Sequence, residues 1–145
     1  MKILMVCLGN ICRSPLAHGV LQYLADQEGL DWHVDSAGIG GWHVGNPPDH
    51  RAIAVAKQYG IDISGQRAQQ LRIEHLDEFD HILAMDRDNL RNILAKAKTT
   101  EQRARIQLFL QNREVPDPYY DNRLFKPVYQ LVEERCKQLI ASLAR

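Results

Sequence analysis

Four consecutive apolar residues, Ile3-Leu4-Met5-Val6, stand near the start of the chain with no polar residue among them. A strand with one face in water alternates apolar and polar residues. An unbroken apolar run this short reads as a strand covered on both faces. Such strands belong to parallel sheets with helices packed on either side. The rest of the chain supplies the alternation that such a sheet needs. Ser14 and Pro15 suit the cap and first position of a helix, and Leu16, Val20, Leu21 and Leu24 follow at helical spacing. The segment 32–37 predicts a second strand, and 49–59 a helix stopped by Gly60. The segment 81–85 predicts a third strand. Asp86 can cap the next helix, whose stripe is Leu90, Ile93, Leu94 and Ala97. The segment 106–110 predicts a fourth strand. Pro127 can open a final helix with Val128, Leu131, Val132, Leu139, Ile140 and Leu143 on one face. The expected class is α/β: one domain over residues 1–145, a four-stranded parallel sheet doubly wound with helices on both faces.

Composition narrows the function. Lys plus Arg equals Asp plus Glu, 18 each, which argues against a nucleic-acid or anionic-membrane partner held by bulk charge. A small anion remains compatible, because a local site can be positive on a neutral protein. The apolar run 3–8 is too short for a membrane span or a signal-peptide core, so a cytoplasmic protein is expected. Three cysteines, Cys7, Cys12 and Cys136, do not make a secreted disulfide framework. The six histidines lack metal-ligand spacing, so neither a metal nor a cofactor is expected.

The first strand ends in Cys7-Leu8-Gly9-Asn10-Ile11-Cys12-Arg13-Ser14-Pro15. A tight loop between a buried strand and a helix start can turn its backbone N–H groups inward, and the helix dipole adds to them. Leu8, Gly9, Asn10, Ile11, Cys12, Arg13 and Ser14 would then cradle a tetrahedral dianion. Gly9 and Asn10 tolerate the positive φ that such a loop needs. Arg13 brings a planar fork for two phosphate oxygens. Cys7, on the floor, faces oriented dipoles and a cation, and Ser14 can donate to its sulfur. All of these favour the thiolate. A lone buried cysteine is ordinarily structural; the coincidence of thiol, loop formers, arginine and helix start favours a nucleophile. The loop lacks the Gly-Lys-Ser/Thr ending of a nucleotide-binding loop.

This Cys-x5-Arg segment resembles the signature of the low-molecular-weight protein tyrosine phosphatase family, and the resemblance runs over essentially the whole chain. Val34-Asp35-Ser36-Ala37-Gly38, Gly45-Asn46-Pro47-Pro48-Asp49, Met85-Asp86, Asn89-Leu90 and Asp117-Pro118-Tyr119-Tyr120 carry it further. It implies hydrolysis of phosphotyrosine in proteins through a phosphocysteine on Cys7, without cofactor, and inhibition by phosphate-like anions. Asp117 would serve as general acid and then base, with an acidic rate optimum. Ile11, Trp42, Tyr119 and Tyr120 would shape a slot for the aryl ring; an exposed tyrosine or a core tryptophan is the plainer alternative. Ser36 would hydrogen-bond Asn10, which with Ser14 supports the loop. Cys12 would be a redox partner for Cys7, or else a small buried hydrophobe. Cys136 falls on the apolar stripe of the last helix and reads as core.

Three positions depart from the family pattern: Gln66 where histidine is frequent, Ile39 where threonine is common, and Asp121 where glycine is frequent. Asp121 is expected to add negative charge near Asp117. A thioredoxin-coupled arsenate reductase of the same fold is the competing activity. It needs relay cysteines, and none lies between Cys12 and Cys136.

Overall fold

A computed structural model describes residues 1–144. Four parallel strands form one sheet: β1 (Lys2–Cys7), β2 (His33–Gly38), β3 (His81–Ala84) and β4 (Ile106–Leu108), in the order β2-β1-β3-β4. β1 lies between two neighbours, which is why its apolar run is unbroken. Its side chains alternate between two cores. Ile3 and Met5 join Leu16, Val20, Leu21, Val132 and Leu139 on one face. Leu4 and Val6 join Ile82, Ala84, Leu76 and Ile93 on the other.

The helices are α1 (Arg13–Gln27), α2 (His50–Gln58), α3 (His75–Glu78), α4 (Arg87–Lys96), α5 (Thr100–Ala104) and α6 (Phe125–Leu143), with a 3-10 turn at Asn122–Leu124. α1 packs on α6, and Cys136 of α6 lies buried with its Sγ 3.9 Å from the Ala17 carbonyl. Among the described residues no helix is long and apolar enough to cross a membrane.

The starts of two helices shift from the sequence-based boundaries. α1 begins at Arg13, with Cys12 in the cap position and no side-chain cap bond. Ser14 is therefore not the cap: its hydroxyl is drawn into the cradle, and Pro15 falls at the third helical position. Proline is tolerated there because the first intrahelical bond runs from Leu16 N to Cys12 O. α6 likewise begins at Phe125, two residues before Pro127. Two short helices were not expected, α3 and α5. α5 carries a capping box between Thr99 and Gln102. Asp49 and Asp86 cap α2 and α4 by accepting from Arg51 N and Asn89 N.

The chain crosses from β1 to β2 on one side and then to β3 on the other. The crevice opened by that reversal lies beyond the carboxyl end of β1, which is the start of the Cys7 loop. β3 and β4 deliver the Asp86 and Asp117 segments to the same edge.

Candidate active site

A cavity of about 310 Å³ opens at that edge. It is lined by Cys7, Leu8, Gly9, Ile11, Cys12 and Arg13 of the first loop, Trp42 and His43 of the second, and Asp117, Tyr119 and Tyr120 of the third. Leu8 was expected only as a backbone donor and His43 not at all. Neither has a local sequence signal, since each reaches the cavity through the way two loops meet.

The polarity of the floor can be worked out from one backbone amide. Gln69 N–H can only donate, and it donates to Asn10 Oδ1 at 2.9 Å. That fixes the orientation of the Asn10 amide, so Nδ2 donates to Ser14 Oγ at 2.8 Å. With Ser14 Oγ used as an acceptor, its one hydrogen is left for Cys7 Sγ, 3.0 Å away. Asn10 N–H donates to the same sulfur at 3.3 Å. Two donors therefore converge on one sulfur. Asn10 holds φ at 59°, in the left-handed region that asparagine tolerates; Gly9 does not carry the positive φ.

Arg13 is a buried charge, 4% exposed, and is paired accordingly. Its Nη1 donates to Asp86 Oδ2 at 2.8 Å and to the Val115 carbonyl at 3.1 Å. Its Nη2 lies 3.9 Å from Asp117 Oδ2. One edge of the guanidinium is thus committed to the scaffold, and the other belongs to the cavity. Val115 N–H donates in turn to Met85 O, so the root of the Asp117 loop is tied to the end of β3.

Asp117 sits on the cavity rim, and its Oδ1 accepts from Tyr119 N at 3.1 Å. Tyr119 and Tyr120 meet edge to face at 5.0 Å, and Arg51 lies 5.4 Å from the Tyr119 ring centroid. Arg51 is itself held by Asp49 through Nε and Nη2. Tyr120 and Trp42 are strongly exposed, so neither is a core residue. Asp121 points elsewhere than expected. Its carboxylate accepts from Arg123 N, Nε and Nη2, bonds that hold it below the usual carboxylate range. Its charge is turned toward Arg123 rather than Asp117.

Ser36 also differs from expectation: its Oγ meets His18 Nδ1 at 3.1 Å, not Asn10. The Asn10 contact that the resemblance assigns to Ser36 is made instead by Ser14 and by the backbone of Gln69. Gln69 Nε2 then bridges to the Ser36 carbonyl at 2.9 Å, so Ser36 is one step removed from the loop. Gln66 Nε2 donates to Pro15 O, supporting the start of α1. Cys12 is buried beneath the cavity, and that burial, with Asp49 and Cys7 nearby, pushes its thiol far up. Cys7, Cys12 and Cys136 are all free thiols. Among the described residues, no three His, Cys, Asp or Glu side chains cluster as metal ligands would.

The sequence pattern of the family described as "Low molecular weight phosphotyrosine protein phosphatase" matches residues 2–145. The chain belongs to that family. Among phosphatases of this family, the low molecular weight protein-tyrosine-phosphatase YfkJ of Bacillus subtilis is 41% identical, covering 99% of this chain and 96% of its own. The low molecular weight phosphotyrosine protein phosphatase of Homo sapiens is 38% identical, covering 96% and 93%. The crystal structure of YfkJ superposes with a TM-score of 0.91 at 40% identity, covering 99% of this chain and 94% of that one. Vibrio vulnificus Wzb in complex with benzylphosphonate superposes with a TM-score of 0.87 at 35% identity, covering 97% of each chain. The two solved structures share this chain's α/β fold.

Proposed function

We propose that this family member hydrolyses aryl phosphate monoesters, with phosphotyrosine in proteins as its substrate class, through a phosphocysteine on Cys7. The observation that carries this reading is a sulfur with two hydrogen-bond donors on the floor of a cavity whose rim bears a carboxylate and whose walls are aromatic. The phosphoryl dianion would lie among the loop amides from Leu8 to Ser14, with the cavity-facing edge of Arg13 on two of its oxygens. The Cys7 thiolate attacks phosphorus, an S–P bond forms and the P–O bond to the aryl group breaks. Asp117 gives its proton to the departing phenolate oxygen. Water then attacks phosphorus while Asp117 takes its proton. The S–P bond breaks, inorganic phosphate leaves, and the Ser14 and Asn10 donors receive the returning thiolate. Free phosphate and related anions should compete for the same cradle.

Ile11, Trp42, Tyr119 and Tyr120 supply the contacts to a flat ring. A phosphoserine side chain is too short to bring its phosphate to the floor past these walls. A reducing compartment such as the cytoplasm suits a site that works through a free thiol.

The test is a series of aryl phosphates with rising leaving-group pKa. Asp117→Asn should lose about 10²- to 10⁴-fold in rate, more for poor leaving groups and least for p-nitrophenol. Dependence on the leaving group no steeper than wild type would assign the acid elsewhere. Cys7→Ser should abolish turnover yet still bind vanadate, and a near-normal rate would remove Cys7 as nucleophile.

A further inference from the structure

Gly40 has no backbone reason to be glycine. Positive φ occurs at Gly29, Gly45 and Gly60, not at Gly40. Its amide donates to Leu8 O at 2.9 Å, a bond that any residue except proline can make. What excludes a larger residue is Trp42. A Cβ on Gly40 would stand 1.9 Å from Cζ3 of that indole, 2.3 Å from Cε3 and 2.4 Å from Cη2. The ring therefore lies directly on the Gly40 backbone. Trp42 is otherwise 70% exposed, so little else restrains it. An exposed aromatic side chain without a seat hops between rotamers within nanoseconds.

We propose that Gly40 is a specificity-determining residue, the seat that holds the Trp42 ring at the height where it meets the aryl group of a bound phosphate ester. The meaning of the ring rests on the aryl phosphatase reading above. The height is referenced to the sulfur by two backbone bonds, Ile39 N to Cys7 O at 3.0 Å and Gly40 N to Leu8 O. Residue 40 thus sets aryl recognition without touching substrate.

Gly38, two residues earlier, supplies the contrast. A Cβ there would meet Gly9 C at 3.0 Å and Asn10 N at 3.1 Å. Those are backbone atoms of the cradle, so a larger residue at 38 displaces the cradle and affects every anion. At Gly40 the obstructing atoms end a side chain that can swing away. The fold and cradle survive, and the wall moves.

The test uses Gly40→Ala, Trp42→Ala and the double variant, with binding of benzylphosphonate and inorganic phosphate measured by calorimetry. Gly40→Ala should weaken benzylphosphonate roughly threefold to tenfold, the range for losing one aromatic contact. Phosphate, which needs only the cradle, should stay within about twofold. In the Trp42→Ala background Gly40→Ala should change neither ligand. In a Trp32→Phe background, which leaves Trp42 as the reporter, Gly40→Ala should shift the tryptophan emission. Gly38→Ala should weaken both ligands together. Undiminished benzylphosphonate affinity in Gly40→Ala overturns the seat. So does an equal loss of both ligands, or an effect that persists without the indole. These are binding measurements, so they stand apart from turnover: absence of aryl phosphatase activity in the wild type would sink the proposed function and leave the seat to be judged on its own.

Discussion

Arg13→Lys is the sharpest probe of the cradle, because it keeps the charge and removes only the geometry. In the proposed mechanism the guanidinium has two jobs: Nη1 is held by Asp86 and the Val115 carbonyl, and the cavity-facing edge would take the phosphoryl group. A lysine has one ammonium on a flexible stem. If it stays with Asp86 at the Nη1 position, it leaves the phosphoryl oxygens. If it turns to the phosphoryl group, Val115 O loses its donor and Asp86 its partner. Either way about two charge-assisted hydrogen bonds are lost, to the reacting group or to the scaffold that positions it, each worth about 1.5–3 kcal/mol. The sum, about 3–6 kcal/mol, corresponds to a fall of about 10²- to 10⁴-fold in kcat/KM. The assay is steady-state hydrolysis of p-nitrophenyl phosphate, with calorimetric binding of inorganic phosphate in parallel. Thermal melting checks that the variant is folded, because a half-buried Asp86 left without its partner would destabilise it. A folded Arg13→Lys variant within tenfold of wild type would refute the claim that the fork, rather than the charge, does the work.

Three further outcomes are expected. Ser14→Ala removes the hydroxyl that the Asn10 amide orients toward Cys7, and should slow alkylation of Cys7 by iodoacetamide about 10- to 100-fold; an unchanged rate would mean that Ser14 does not donate to the sulfur. Mild peroxide should inactivate reversibly through a Cys7–Cys12 disulfide, with Cys136 left reduced in the core. Because the Cys12 thiol is pushed up, its reactive thiolate grows about tenfold per pH unit, so the share of disulfide over sulfinic acid in mass spectra should rise from pH 6 to 8, and a flat share would contradict this. Burial lowers the His18 imidazole, against the pull of Asp35 and aided by His33, so the unfolded chain takes up its proton first as pH falls. Stability should therefore drop below about pH 6.5, and His18→Gln should lose less melting temperature than wild type between pH 7.5 and 5.5; parallel losses would remove His18 as a cause.

The parts of the fold legible in the sequence were those governed by local rules. The apolar run of β1, the cap at Asp86 and the stripe of α6 are each decided within a few residues. Ser14 looked like a helix cap because Ser-Pro before an apolar stripe satisfies the local rule. Its hydroxyl is claimed instead by Asn10 and Cys7 inside the loop. The role given to Ser36 passed to Ser14 and Gln69 because β2 sets the Ser36 hydroxyl beside His18 of α1, a juxtaposition made by strand register. His43 could not have been found from spacing, since only the approach of its loop to Gly9 puts it in the cavity. α5 was missed although Thr99 and Gln102 stand at capping-box spacing, because five residues are too few to show an apolar stripe.

The tether from Arg13 to Val115 spans 102 residues of sequence, and that to Asp86 spans 73. During synthesis the cysteine loop is made early, but the two groups that neutralise and orient its arginine come much later. A nascent chain halted before residue 115 lacks the carbonyl that orients the Arg13 guanidinium, and one halted before residue 86 lacks its carboxylate partner as well. No amino-terminal fragment ending before that point should bind phosphate. If such a fragment and the missing remainder were expressed as separate polypeptides, recovery of anion binding would report their docking. The wiring that makes the site rigid also makes it a sensor of whether the chain is whole.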